Sequence, residues 1–140
     1  MLDTGPVIGL LSEEDEHHEA AIAAIQASGR RGRKLCTIWE VVGEAYTLFR
    51  MRLAPARSAG SALAVLRWAR ESGVELFQSE EGDHQRAAML IERHVQLRLS
   101  YVDALLLAIA ERHRVEELIT VDMRHIGAVR LEQRIAVTAV

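Results

Sequence analysis

Residues 101–110 read Tyr-Val-Asp-Ala-Leu-Leu-Leu-Ala-Ile-Ala, a run whose only charge is Asp103. At about 100° per residue, a helix here carries Leu106, Leu107 and Ala110 on the side of Asp103, and Leu105 and Ile109 on the opposite side. A helix that is apolar all round belongs in an interior, so the fold must wrap it in other elements. An unpaired carboxylate buried with it costs several kcal/mol, so Asp103 has to be protonated, paired with a cation or ligated to a metal. Arg98 stands five residues before it and Arg112 nine after, neither close enough along the helix to neutralise it. The partner must come from elsewhere in the chain or from solution.

Around this run the hydrophobic period alternates between helix-like and strand-like segments. The strand candidates, residues 1–3, 35–38, 74–78, 118–121 and 135–140, are short and largely apolar, as expected of strands covered on both faces. Helices are expected over 7–11, with Thr4 as cap and Pro6 in the first turn, and over an Ala-rich stretch ending near Ser28 and Gly29. Further helices are expected over 39–52, 56–71, 80–94 and 101–113. Short connections between alternating elements predict a single domain spanning 1–140. Its fold class is α/β: a three-layer α/β/α sandwich on a central, mainly parallel sheet of four to five strands with right-handed crossovers. Ligands of such sheets bind at the carboxyl ends of the strands.

Several chemistries are excluded early. The longest apolar runs are broken by Asp103 or Glu44 and fall short of the ~18 residues that a membrane span needs. With no basic lead-in before the acid at position 3, no signal peptide is expected, and the cytoplasm is the expected address. One cysteine, Cys36, can make neither an internal disulfide nor a cysteine metal site, and is expected to pack. The pair His17-His18 lacks the spacing of a zinc helix, and no phosphate-binding glycine loop is present. Only one lysine occurs, so arginine supplies nearly all the positive charge.

Four acids remain, each set in apolar sequence or delivered by a strand to the carboxyl edge. Asp3 ends the first strand and Asp122 the fourth, while Glu44 shares a helical face with Val41, Ala45 and Leu48. Together with Asp103 they would repel one another unless a cation sat among them, and hard oxygen ligands select Mg²⁺ or Mn²⁺ over zinc. Such a site suits hydrolysis of phosphodiester bonds. Asp3 and Asp103 are assigned direct metal roles, with Glu44 and Asp122 as ligands or as orienters of water. Thr4 and Thr120 are expected to support them through hydroxyl hydrogen bonds. Taken singly, Asp3 could be a helix cap, Asp122 a turn residue and Glu44 a helix acid paired with an arginine.

The segments around these acids, Leu2-Asp3-Thr4-Gly5-Pro6-Val7, Ile38-Trp-Glu-Val-Val-Gly-Glu44-Ala-Tyr-Thr-Leu, Ser100-Tyr-Val-Asp103-Ala-Leu-Leu-Leu-Ala-Ile-Ala and Ile119-Thr-Val-Asp122, resemble the four motifs of PIN-domain ribonucleases in order and spacing. The resemblance covers nearly the whole chain and is closest to the VapC-like toxins of bacterial toxin-antitoxin pairs. It implies a Mg²⁺- or Mn²⁺-dependent endoribonuclease. It also implies a homodimer, and a small antitoxin whose tail covers the acidic site. Only two residues precede Asp3, so the first strand is expected to be short, and Glu40, one helical turn before Glu44, competes with it for the role of second acid. Two other readings stand beside this one: a catalytically silent PIN-like module that binds RNA or protein, and a housekeeping RNA-processing nuclease.

Arg30, Arg31, Arg33 and Lys34 crowd one loop and are candidates for contacting RNA phosphates. The net charge of −3 does not oppose RNA binding: without the four site acids, 16 acids face 17 bases, a balance of +1. Trp39, Tyr46, Trp68 and Tyr101 are read as core or interface rather than as a base-stacking surface. His18 and His84 are read as exposed. An apolar helix face over 56–68 is a candidate dimer surface or part of the core.

Overall fold

The computed structural model describes residues 1–52 and 55–140, with the side chains at 55–58 outside the described set. Helix α1 (Thr4–Leu11) follows directly on residues 1–3, and α2 (His18–Arg30) leads to β1 (Cys36–Ile38). Helices α3 (Trp39–Arg52) and α4 (Pro55–Glu71) precede β2 (Glu75–Phe77); α5 (Glu81–Arg93) and α6 (Tyr101–Arg112) precede β3 (Glu117–Thr120). The chain closes on β4 (Ala136–Ala139).

Two parallel pairs make the sheet. In one, β1 lies against β2 with Cys36 opposite Glu75; in the other, β3 lies against β4 with Glu117 opposite Ala136. Residues 1–3 join the two pairs. Leu2 N donates to Cys36 O at 2.8 Å, Ile119 N to Met1 O at 2.9 Å and Asp3 N to Ile119 O at 3.0 Å. The short first strand is thus a single parallel bridge between Leu2 and Ile119, and the order across the sheet is β2, β1, residues 1–3, β3, β4.

That order fixes where a ligand fits. From residues 1–3 the chain steps twice in one direction, to β1 and then β2, and from β2 it crosses back over β1 and residues 1–3 to β3. Right-handed crossovers therefore put α1 to α4 on one face and α5 with α6 on the other. The direction reverses between residues 1–3 and β3, and at such a reversal the helices diverge and leave a crevice beyond the carboxyl ends of the strands. Asp3 and Asp122 stand on its two sides.

The core explains why the central segments are mostly apolar and why the polar residues buried in them, Thr37, Glu117 and Thr120, are hydrogen-bonded. Leu2, Ile38, Leu118 and Ile119 are fully buried between the helical layers, and every residue of α6 from Ala104 to Ala110 is buried. Each such large side chain contributes about 1.5–3 kcal/mol. Cys36 packs in this core. On α4, Ala62, Val65 and Ala69 are buried while Leu63 and Leu66 are exposed, so the apolar face proposed over 56–68 is divided; its first residues fall outside the described side chains. Among the described residues no helix is long and apolar enough to cross a membrane.

Three expectations need correction. The cap of α1 is Asp3 rather than Thr4, because the Asp3 backbone is extended and its carboxylate accepts the first free amide of the helix. Asp103 is not interior: it occupies the first turn of α6, where the helix emerges at the sheet edge, and is half-buried. Trp39 and Tyr101 are not core, with exposures of 45% and 50%, which leaves only the interface half of their expected role.

Candidate active site

Asp3 is the centre of the carboxyl edge, 4% exposed. Its Oδ1 accepts the Thr4 amide and its Oδ2 the Thr120 hydroxyl, both at 2.6 Å. The Thr4 hydroxyl donates in turn to Glu44 Oε2 at 2.6 Å. On the other side, Thr120 Oγ1 accepts the Asp122 amide at 2.9 Å. A continuous hydrogen-bonded chain thus runs from Glu44 on α3 through Thr4, Asp3 and Thr120 to the turn after β3. Gly5 lets this turn approach: a Cβ there would lie 2.8 Å from Val121 Cγ1, closer than carbon atoms allow.

Burial pushes the Asp3 pKa up from an ordinary 3.8 to about 6, and the neighbouring charges of Asp103 and Glu44 push the same way. The hydroxyl of Thr120 and the amide of Thr4 pull it down but do not prevail. The charges of three acids therefore meet at one place. Asp103 is held by a reciprocal cap: its Oδ2 accepts the Ser100 amide at 2.9 Å, and its own amide donates to Ser100 Oγ at 3.0 Å. The pattern Ser-x-x-Asp was readable in the sequence as a capping box. It leaves the second carboxylate oxygen of Asp103 outside the cap.

Asp122 behaves differently. Its Oδ1 accepts the His125 amide at 3.0 Å and its Oδ2 lies 2.5 Å from His125 Nδ1. Burial raises its pKa, but the hydrogen bonds and charge of His125 outweigh burial and hold it below the ordinary value. The backbone of Asp122 joins the chain of hydrogen bonds while its carboxylate is turned to a histidine that the sequence did not single out. Of the two acids on α3, Glu44 is the one bonded to Thr4. Glu40 accepts the Ser79 hydroxyl at 2.8 Å and buries its second oxygen without a partner among the described residues.

The basic loop lies elsewhere. Arg31 and Arg33 reach Glu117 at 2.5 and 3.1 Å, and Arg33 also reaches Glu116 at 3.1 Å. Glu117 opens β3, four residues long, so this cluster sits at the amino edge, about 10 Å along the strand from Thr120. Arg31 and Arg33 are thus structural ion-pair partners, while Arg30 and Lys34 are exposed beside them. An open cavity of about 370 Å³ lies here, lined by Arg31, Arg33, Lys34, Phe77, His113 and Glu117.

A match to the PIN domain covers residues 1–130. The chain belongs to the PIN-domain family. The fold of this PIN domain is similar to the crystal structure of the Mycobacterium tuberculosis toxin VapC20, described as cleaving the sarcin-ricin loop, with a TM-score of 0.75 over 95% of this chain and 97% of that one at 20% identity. No curated protein sequence matches it. Among the described residues no three acidic, histidine or cysteine side chains are gathered closely enough to grip an ion as they stand. The donor set nonetheless fits a hard cation: three carboxylates couple at Asp3, whose charge is disfavoured until a positive partner arrives.

Proposed function

We propose that this PIN domain is a metal-dependent endoribonuclease acting as the toxin of a toxin-antitoxin pair. The observation that carries this reading is the convergence of the Asp103 and Glu44 charges on buried Asp3 at the reversal point of the sheet. Membership of the PIN family and the fold shared with a toxin that cleaves the sarcin-ricin loop support it. Asp3, Asp103 and Glu44 would hold Mg²⁺ or Mn²⁺, which supplies Lewis acidity for phosphodiester hydrolysis. Thr4 and Thr120 orient Glu44 and Asp3 through their hydroxyl groups. Asp122, whose carboxylate is held by His125 in the turn after β3, is assigned the orienting of water.

The proposed partners are an RNA substrate, a small antitoxin protein and a second copy of the chain, with the cytoplasm as the place of action. The test incubates a mixed pool of structured RNAs, the sarcin-ricin loop among them, with wild type and Asp103→Asn under Mg²⁺, Mn²⁺ and EDTA. Cleavage that requires metal and vanishes in Asp103→Asn is the expected result. Cleavage that persists unchanged in EDTA or in the variant overturns the reading. If wild type binds RNA but never cuts it, the silent binding module takes its place.

A further inference from the structure

Tyr101 opens α6 two residues before Asp103, and half of its surface faces solvent. An exposed tyrosine usually turns its hydroxyl to water, but this hydroxyl is bonded to Nδ1 of His84, which reaches across from α5. The two ring planes differ by only 12° while their centroids are 6.2 Å apart. Planes so nearly parallel at that separation leave the rings side by side rather than overlapping. The result is one flat surface, wider than a single ring, pinned from two helices. His84 is half-buried rather than exposed, as the sequence had suggested, because it is the lateral support of this surface.

We propose that Tyr101 and His84 form a stacking platform for a nucleobase next to the phosphodiester cleaved at the acid site, an inference that rests on the ribonuclease reading. A nucleobase needs a flat, rigid face, and a ring whose hydroxyl is already satisfied gives one with little ordering cost on binding. The position favours RNA as the occupant. Tyr101 and Asp103 lie in the first turn of one helix, about 200° apart around its axis, so they share the end of α6 rather than one face, and a strand that brings a phosphate to Asp103 must bend across that end to lay a base on the tyrosine. Trp39, also exposed, heads α3 at the end of β1 on the same sheet edge and offers a second face of the same kind. Contact with a nucleobase through stacking is tolerant of base identity, so the platform sets position along the strand more than sequence.

The experiment uses the full chain carrying Asp103→Asn, so that RNA stays intact, and short single-stranded RNAs of mixed sequence with 2-aminopurine placed at successive positions, in Mg²⁺. Stacking quenches the fluorescence of the base that sits on the platform. We expect quenching confined to one position, lost on adding Tyr101→Ala with binding roughly 5- to 100-fold weaker, and kept with Tyr101→Trp. In the otherwise wild-type chain, Tyr101→Ala raises KM far more than it lowers kcat, and His84→Ala does so by a smaller factor. The Ser100 and Asp103 cap uses no Tyr101 side-chain atom, so the variants keep the fold and circular dichroism checks this. Unchanged quenching and unchanged KM in Tyr101→Ala overturn the proposal. Loss of antitoxin binding with RNA binding intact overturns it too, by assigning the face to a protein. If wild type cleaves no RNA and Asp103→Asn binds none, the ribonuclease reading fails and the platform with it.

Discussion

Asp3 and Glu117 are buried carboxylates on adjacent central strands, 4% and 5% exposed, yet their surroundings push them in opposite directions. At the amino edge Glu117 gathers Arg31, Arg33 and the hydroxyl groups of Ser28 and Thr138. Burial raises its pKa, but these donors and the Arg31 charge bring it down to about 2. At the carboxyl edge Asp3 has two donors and two like-charged neighbours, and stands at about 6. One acid is neutralised by the fold; the other is kept in need of a positive charge. The same residue class buried to the same depth is thus paired with cations at one edge of the sheet and left without one at the other, and the number of cations supplied by the chain sets the direction of each pKa shift.

Replacing Asp3 tests this hardest. Asp3→Asn keeps an oxygen for the Thr4 amide and a polar group for Thr120 while removing the charge. RNA cleavage is expected to fall by about 10²–10³ or more, the loss typical of a charge aimed at the reacting groups. In EDTA at pH 7 the variant is expected to be more stable than wild type by about 1–3 kcal/mol, read from urea midpoints. A variant that loses both activity and stability would make Asp3 an ordinary structural acid.

Glu117→Gln is the mirror experiment. It leaves two arginines around a neutral amide, so stability is expected to drop by about 2–3 kcal/mol, below the full cost of an isolated buried charge because both guanidinium groups reach solvent. A thermal midpoint lower by roughly 3–5 °C per kcal/mol would register it. Cleavage per folded molecule is expected to stay at the wild-type rate. A fall in cleavage by ten-fold or more would connect the amino edge to the chemistry.

These two acids also show what sequence can carry. The strands and helices are legible because period and burial coincide: the segment 39–52 is expected from its spacing and forms α3 with those bounds. Asp103 was misread because a helical wheel has no ends; the run is apolar all round, but its first turn lies at the sheet edge, and the cap signal Ser100-x-x-Asp103 marked that end. Glu117 was invisible for another reason. Its partners Ser28, Arg31 and Arg33 lie 84 to 89 residues away in the chain, so no local pattern distinguishes it from a solvated glutamate. The bond between His84 and Tyr101 is hidden in the same way, by a separation of 17 residues and two helices.

The pH dependence separates the two edges within one molecule. The Glu117 pKa is lower folded than its ordinary 4.5, so its contribution is complete above that pH and is lost as pH falls toward 2. The Asp3 pKa is higher folded than its ordinary 3.8, so its contribution is complete below that pH and is lost as pH rises through about 6. In EDTA, stability is therefore expected to decline between roughly pH 4 and 6 by up to about 3 kcal/mol, a decline absent in Asp3→Asn. Saturating Mg²⁺ is expected to reduce the decline, because a cation favours the ionised acid. Urea midpoints across pH, with and without metal, measure both; a flat curve in EDTA between pH 4 and 6 would put Asp3 among the satisfied acids.

The smallest expected effect isolates orientation from charge. Thr4→Val removes the hydroxyl that donates to Glu44 while preserving the backbone amide that caps onto Asp3 and nearly all of the side-chain volume. Losing one hydrogen bond to a charged group changes stability by about 1–2 kcal/mol. Glu44 is only half-buried and can turn to water, so the cost is expected at or below the lower figure. Activity should suffer more than stability, by roughly ten-fold, the cost expected when a group that orients a ligand is lost. Thr4→Ser restores the hydroxyl and should recover most of the rate. If Thr4→Val cleaves as fast as wild type, Glu44 does not depend on Thr4 for its placement, and the hydrogen-bonded chain across the carboxyl edge is scaffold in the way that Glu117 is scaffold at the other.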